Sequence, residues 1–274
     1  MSLPAAAQAP RGRRLATITA VRELGVYRVI TVDDKDAPAP APGQFAMLAA
    51  AERWGGGEDE RPFLARAFSV ARHERGASQF LLEDVGPGTA RLCELDVGER
   101  LWLAGPFGRP FTAPEGRRRA ILAGGGVGIA PLAILQDALE AGGVETVVLL
   151  GFRDGARVPG AELLRGAQLA SDDGSAGHHG FVTELLEREL ARDGEAAVYA
   201  CGPAGMLEAI RALCERTAVP AQLALESGMA CGFGACYGCV VPTRDGGYLR
   251  VCVEGPVIDA ALLERVEEHA GAHA

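Results

Sequence analysis

No apolar run in this 274-residue chain approaches the ~20 residues a bilayer-spanning helix requires, which argues against a helical membrane protein. An excess of basic residues is also missing. The 27 Lys and Arg stand against 36 Asp and Glu, a net charge of −9. Nucleic acid and anionic membrane surfaces would repel such a chain, so neither is expected as a partner. The opening stretch "MSLPAAAQAPRGRR" has no hydrophobic core region and no clear cleavage site. It does not read as a secretory signal, and residues 1–12 read as a disordered tail. A reducing, cytoplasmic compartment is therefore expected, where disulfides are rare. Seven cysteines, an odd number, would leave an all-disulfide scheme with an orphan in any case.

The composition that is present, 48% apolar and 23% charged, is that of an ordinary globular protein. The length suffices for two or three cores. From about Leu15 to Phe111, short apolar runs such as "GVYRVITV", "QFAMLAA", "RAFSVAR" and "ERLWLAGPFG" alternate with turn signals. That spacing predicts an antiparallel barrel or sandwich. Between the runs, "AERWGGGEDERP" (Ala51–Pro62), with three glycines and four acids, reads as a long mobile loop.

From about Arg117 the period changes. Buried-strand patterns ("RRAILAGGG", "ETVVLLGF", "AAVYACG") alternate with amphipathic helices ("APLAILQDALEAG", "FVTELLERELARDG", "PAGMLEAIRALCERT"). Such alternation predicts a doubly wound parallel sheet covered on both faces. Near Val219 the pattern breaks into a cysteine-rich segment, and "DAALLERVEEHA" predicts a short C-terminal helix. The expected units are a β-barrel over 13–114, an α/β domain over 115–220 and a small third domain over 221–274.

Three motif groups carry chemistry. The first is "ARAFSV", followed by "VGPGT" and "AGPFGRPF". In a strand Arg66 and Phe68 point to one side. A guanidinium there grips phosphate in bidentate fashion, and an aromatic beside it offers a flat face to a ring. Ser69 is placed to hydrogen-bond a ring heteroatom. Gly88 lets backbone approach a ligand, and Thr89 adds a hydroxyl. One more half-buried strand with a surface arginine would read the same way.

The second group is the glycine turn "AGGGVGIAPL", with Gly124, Gly125, Gly126 and Gly128 between a strand and a helix. Backbone amides and a helix N-terminus make an anion site suited to the phosphates of a dinucleotide. The dinucleotide fingerprint is incomplete, because Ile129 stands where a third glycine or alanine belongs. "YACGPAGM" repeats the logic with Cys201, Gly202 and Pro203. Two such turns at the carboxyl ends of parallel strands fall where open α/β sheets bind ligands.

The third group is "MACGFGACYGCVV". Cys231, Cys236 and Cys239 fit Cys-x4-Cys-x2-Cys, and Cys252 follows as a distant fourth. This is the plant-type [2Fe–2S] spacing. Gly232, Gly234 and Gly238 supply the backbone freedom to wrap two irons and to turn amides toward sulfur. Zinc would show paired Cys-x2-Cys knuckles, whereas one spacer here has four residues.

Other residues read as background. Cys93 and Cys214 are expected in cores. Cys201 suits either packing or a place near a nicotinamide. His178 and His179 belong to a solvated loop, and Glu226 either caps a turn or lines a flavin edge.

In order, "R-x-x-S", "GGGVGIAPL" and "CGPAGM" resemble the ferredoxin reductase family of flavin and nicotinamide modules. With "LESGMACGFGACYGC" and "RVCVEGPV" the chain resembles the electron-transfer subunits of NAD-dependent (type B) dihydroorotate dehydrogenases, from about Leu15 to Val257. "DDGSAGHHGFVTELL" resembles that family's middle loop. The resemblance implies one FAD per chain, held by Arg66, Ala67, Phe68 and Ser69, by Leu81, Leu82 and Glu83, and by Gly88 and Thr89. It also implies one [2Fe–2S] cluster on Cys231, Cys236, Cys239 and Cys252, and NAD as a diffusible co-substrate. The family usually has Pro where this chain has Ala67. It commonly has Arg near Glu83, and an acid there does not serve a phosphate.

A nicotinamide exchanges two electrons at once and an iron–sulfur cluster one, so a flavin between them is a converter. The expected path runs from dihydroorotate through the FMN of a catalytic partner to the cluster, FAD and NAD+, supporting pyrimidine biosynthesis. The partner is expected as a dimer carrying two of these chains, a heterotetramer with the cluster near the interface. The same parts also suit an NAD(P)H reductase serving a ferredoxin, hydrogenase or sulfur-linked partner, and, from another class, a non-enzymatic redox sensor. Arg153 and Asp154 pull opposite ways on NAD against NADP.

Overall fold

The computed structural model of the chain describes residues 12–264 apart from 36, 56–60, 115, 117–118 and 193–194. Residues 1–11 of the expected N-terminal tail, the middle of the 51–62 loop and the second half of the expected C-terminal helix lie outside the described residues.

Six strands close an antiparallel barrel: β1 (Arg14–Leu24), β2 (Tyr27–Asp33), β3 (Phe45–Ala50), β4 (Arg66–Glu74), β5 (Ala77–Glu83) and β6 (Arg100–Phe107), in the order β1-β2-β5-β4-β3-β6. Turn chemistry sets the two tight hairpins. Leu24 pairs with Tyr27 across Gly25, which has φ +63°. Glu74 pairs with Ala77 across Arg75 and Gly76, both at positive φ, the geometry that matches strand twist in a two-residue loop. Ile18, Ile30, Leu48, Phe80, Leu82, Leu101 and Leu103 fill the barrel. A helix that the strand-and-turn pattern did not anticipate, α1 (Pro87–Cys93), lies between β5 and β6 with proline in its first turn.

The second sheet is built on β7 (Arg119–Gly125), β8 (Glu145–Phe152), β9 (Gln168–Ser171), β10 (His178–His179) and β11 (Ala197–Cys201). It continues through β12 (Ala221–Ala224) to β15 (Val257–Asp259) in the order β10-β9-β8-β7-β11-β12-β15. All its pairings are parallel except β12 with β15. On one face α2 (Ala130–Ala141) buries Leu132, Leu135 and Leu139; on the other, α3 (Val182–Arg192) and α4 (Ala204–Thr217) bury Leu185, Leu186, Leu207, Ile210 and Leu213. Both faces are covered, as an apolar parallel sheet requires.

The α2-side core does not stop at the sheet. Tyr27, Val29, Ala71 and Leu81, from the outer wall of the barrel, pack into it with Leu122 and Ile129. Barrel and sheet are thus fixed against each other by shared apolar burial.

Between β12 and β15 the chain makes an excursion through the cysteine segment, which holds the hairpin β13 (Val240–Pro242) and β14 (Tyr248–Arg250). After β15, Ala260–Leu262 form a 3-10 turn capped by Asp259 rather than the start of an α-helix. Among the described residues no helix is long and apolar enough to cross a membrane.

Candidate functional site

The four motif cysteines form two pairs. Cys239 and Cys252, both 2% exposed, lie with their sulfurs 3.2 Å apart. Their closeness follows from a backbone bond between the two segments, Val251 N–H to the Cys239 carbonyl at 2.9 Å. Cys231 and Cys236 share a side-chain hydrogen bond at the open end of the loop. Burial pushes the Cys231 thiol up, but amides of Phe233, Cys236 and Ala235 and the Cys236 side chain outweigh it and bring it down to about 6. Burial, then the neighbouring Cys239 thiol, push Cys252 up to about 12.

Amides aimed at sulfur are what a thiolate carrying metal needs. Among the described residues no three His, Cys, Asp or Glu side chains close on a single point as a one-ion site demands. Two pairs, one cradled by amides and one buried, make a donor set of four thiols, which fits a two-iron, four-thiolate cluster.

The loop rests directly on the barrel. Gly232 has φ +79°, and a Cβ added there would stand 2.6 Å from Met47 Cγ. Phe45, Met47, Cys239, Val251 and Cys252 form one buried cluster. Met47 is the register partner of Ala67, and Phe45 of Ser69. The cysteine loop and the Arg66–Ser69 segment are thus neighbours through one strand.

On that segment Arg66 is half-buried. It reaches the start of α1 so closely that a Cβ on Gly88 would lie 2.6 Å from its Cζ and 2.7 Å from Nη2. Its guanidinium also stands 5.9 Å over the Trp54 ring and donates to the Leu64 carbonyl. A guanidinium held at the first turn of a helix is a cradle for phosphate, and it fits a flavin dinucleotide. Phe68 packs half-buried against the barrel core and Ala67 is exposed. Leu81 and Leu82 are buried in the two cores, so only their backbone is free to meet a ligand. The Thr89 hydroxyl serves its own turn: it donates to the Gly86 carbonyl and accepts from Val85 N–H, both at 2.9 Å.

The two glycine turns meet. A Cβ at Gly128 would lie 2.6 Å from Gly202 N, and one at Gly125 would lie 2.7 Å from Met206 Sδ. Gly124 packs beneath Leu132 and Ile129, and Gly126 takes φ +56°. Together with Pro203, Gly125 and Gly126 of these turns line a cavity of about 730 Å³ that Glu83 at the end of β5, Val85 just after it and Glu226 also line. Cys201 is buried behind the turn, where burial holds its thiol protonated.

The dihydroorotate dehydrogenase B electron transfer subunit homolog of Aquifex aeolicus is 38% identical to this chain, over 85% of it and 90% of the relative. The dihydroorotate dehydrogenase B (NAD(+)) electron transfer subunit of Geobacillus thermodenitrificans is 37% identical over 91% of this chain and 97% of that one. The chain belongs to this family. Residues 226–264 match the iron–sulfur cluster binding domain of dihydroorotate dehydrogenase B, the stretch holding all four cysteines. The fold is shared with the NADH-dependent reduced ferredoxin-NADP oxidoreductase (TM-score 0.77, 24% identity, 93% of this chain and 92% of that one). It is shared too with the ferredoxin reductase of carbazole 1,9a-dioxygenase (TM-score 0.63, 24% identity, 76% and 66%).

Within this family member Met47, Trp54 and Arg157 escaped the sequence reading, and the structure gives the residues it did name their partners. Glu83, the acid standing where the family commonly has a base, is held by Arg157 at 2.7 Å, and Arg157 also donates to Asp154 at 2.6 Å. The acid is spent on an ion pair spanning barrel and sheet domain. Met47 and Trp54 had no motif to flag them. Glu226 lines the cavity with its residue surface exposed to it, and desolvation by the protein crowded about its carboxyl raises that group above the usual range. His178 forms an edge strand with His179 and pairs with Glu184 at 2.8 Å. Cys93 and Cys214 pack in cores, where burial pushes their thiols up to about 11 and about 12.

Proposed function

We propose that this chain carries electrons released by dihydroorotate oxidation, in an FMN-containing catalytic partner, to NAD+, for pyrimidine synthesis. The observation that carries the reading is the two pairs of cysteine sulfurs, one of which, Cys239 with Cys252, is buried against Phe45 and Met47 of the strand next to Arg66–Ser69. Bound flavin supplies the exchange between two-electron hydride chemistry and the one-electron steps of an iron–sulfur cluster.

The residues of the chain position these groups. Cys231, Cys236, Cys239 and Cys252 would hold the cluster through their thiolates. Arg66, with the amides opening α1, holds the FAD phosphates, and Ser69 orients the ring. The turns at Gly124–Gly128 and Cys201–Pro203 would receive NAD in the cavity they border, which residues of both barrel and sheet line. The units correspond to residues 13–114 for flavin, 115–220 for nicotinamide and 221–274 for the cluster. The oxidation of dihydroorotate belongs to the partner, two of which bind two of these chains in the cytoplasm.

The test is anoxic co-purification with the partner, followed by addition of dihydroorotate and NAD+. NADH formation dependent on both is expected. A flavin and iron–sulfur spectrum that NADH bleaches, without response to dihydroorotate, would replace the partner while keeping the electron-transfer role.

A further inference from the structure

We propose that Arg250 is a positioning residue that ties the cysteine-bearing stretches together, and that its charge, opposed by Glu254, sets the reduction potential of the iron–sulfur centre. The inference rests on the iron–sulfur reading above. Arg250 lies two residues before Cys252 and meets each stretch in turn. Its Nη1 donates to the Gly234 carbonyl at 3.4 Å, inside the Cys231–Cys236 loop. Its guanidinium sits 5.3 Å from the ring centroid of Tyr237, between Cys236 and Cys239.

Its remaining donors go to the Cys252 turn. Nη2 and Nε reach the two Glu254 oxygens at 2.5 and 3.1 Å, and its own amide bonds Glu254 at 2.8 Å. The Arg250 carbonyl accepts from Val253 and Glu254 N–H, both at 2.9 Å. A planar fork that binds carboxylate, carbonyl and aromatic face together is within reach of arginine and not of lysine.

Tyr237 is the one residue of the cysteine loop other than glycine with positive φ, at 57°. A ring held by a cation stabilises that left-handed turn, and the turn fixes the separation of Cys236 from Cys239. The pair is also half-buried, with side chains 29% and 27% exposed, so solvent screens its charges less than on an open surface. Uptake of one electron adds one negative charge to the four-thiolate centre beside it. A cation nearby favours the reduced form and an anion disfavours it.

The test is a redox titration of the assembled centre, followed by electron paramagnetic resonance, in wild type, Arg250→Gln and Glu254→Gln. Iron and sulfide contents are measured alongside. Arg250→Gln is expected to lower the midpoint and Glu254→Gln to raise it. Each shift should reach about tenfold in the electron-partition equilibrium, ~59 mV for one electron. Arg250→Lys, which keeps the charge but not the fork, should fall between wild type and Arg250→Gln and broaden the resonance. Midpoints that stay put, or move the same way in both neutral variants, overturn the inference. Loss of the cluster from both variants also overturns it, leaving Arg250 as scaffold alone. A wild-type chain that assembles no cluster sinks the functional reading itself, a different result.

Discussion

Replacing Gly88 by alanine separates ligand binding from folding, because the two respond with opposite sign. The backbone of Gly88 has no left-handed φ, and the residue sits in the first turn of α1. Alanine there is compatible with the helix and gains up to about 1 kcal/mol of propensity. For a chain of this size that corresponds to a rise in apoprotein Tm of about 2–4 °C. The added methyl, however, needs the space occupied by Arg66, whose Cζ and Nη2 would lie 2.6 and 2.7 Å away. A flexible side chain yields, so the guanidinium swings out and the fold is spared. Losing a charge-assisted hydrogen bond costs about 1.5–3 kcal/mol. FAD affinity should therefore fall by about 10- to 150-fold. Fluorescence quenching on titrating FAD into apoprotein measures the affinity, and a thermal melt measures the stability. In an Arg66→Ala background the Gly88→Ala change should do nothing further to FAD. Weaker FAD binding by the same factor with and without Arg66, or an unchanged Kd, would refute the cradle.

Three further changes test the remaining sites. Cys236→Ser should strip most iron from the protein and abolish NAD+-linked orotate formation, while dye-linked dihydroorotate oxidation by the partner survives; retained iron in a colorimetric assay would remove Cys236 from the ligand set. Gly232→Ala forces a side chain into φ +79° against Met47, at a cost of at least about 1 kcal/mol for the left-handed backbone alone. A urea melt should show that loss, and Met47→Ala in addition should recover only the part due to the clash. Glu226→Gln tests the carboxyl raised by desolvation. The native state disfavours its ionised form, so the variant should melt higher at pH 7.5. The advantage should vanish below about pH 4, where the carboxyl is protonated folded and unfolded alike; a pH-independent difference would count against the assignment.

What was readable in the sequence is what depends on short-range pattern. Alternating runs between glycines located the barrel strands, and Cys-x4-Cys-x2-Cys is a local spacing that survives any packing. The α1 helix was not readable because its seven residues begin Pro-Gly, poor helix formers whose conformation is imposed by the barrel. The joining of β12 to β15 escaped because strands of four and three residues carry little periodicity and lie 33 residues apart, Ala224 to Val257, with the cysteines between. Glu83 looked misplaced only because its partner Arg157 is 74 residues away. Met47 was visible as an apolar strand residue, but nothing local says that its outer neighbour is the cysteine loop. Tertiary partners supplied each missing fact.

The cysteine segment leaves the sheet at Ala224 and re-enters at its register partner Val257, so its two ends are held about 5 Å apart by a paired ladder. It is attached as a removable cartridge is to a frame. The entropy of closing this excursion is already spent once β12 and β15 pair, and the excursion in turn lays Leu225, Val241 and Leu249 on the sheet core and Val251 against Phe45 and Met47 of the barrel. The frame thus fixes where the cartridge begins and ends, while the cartridge covers part of the frame's own apolar surface.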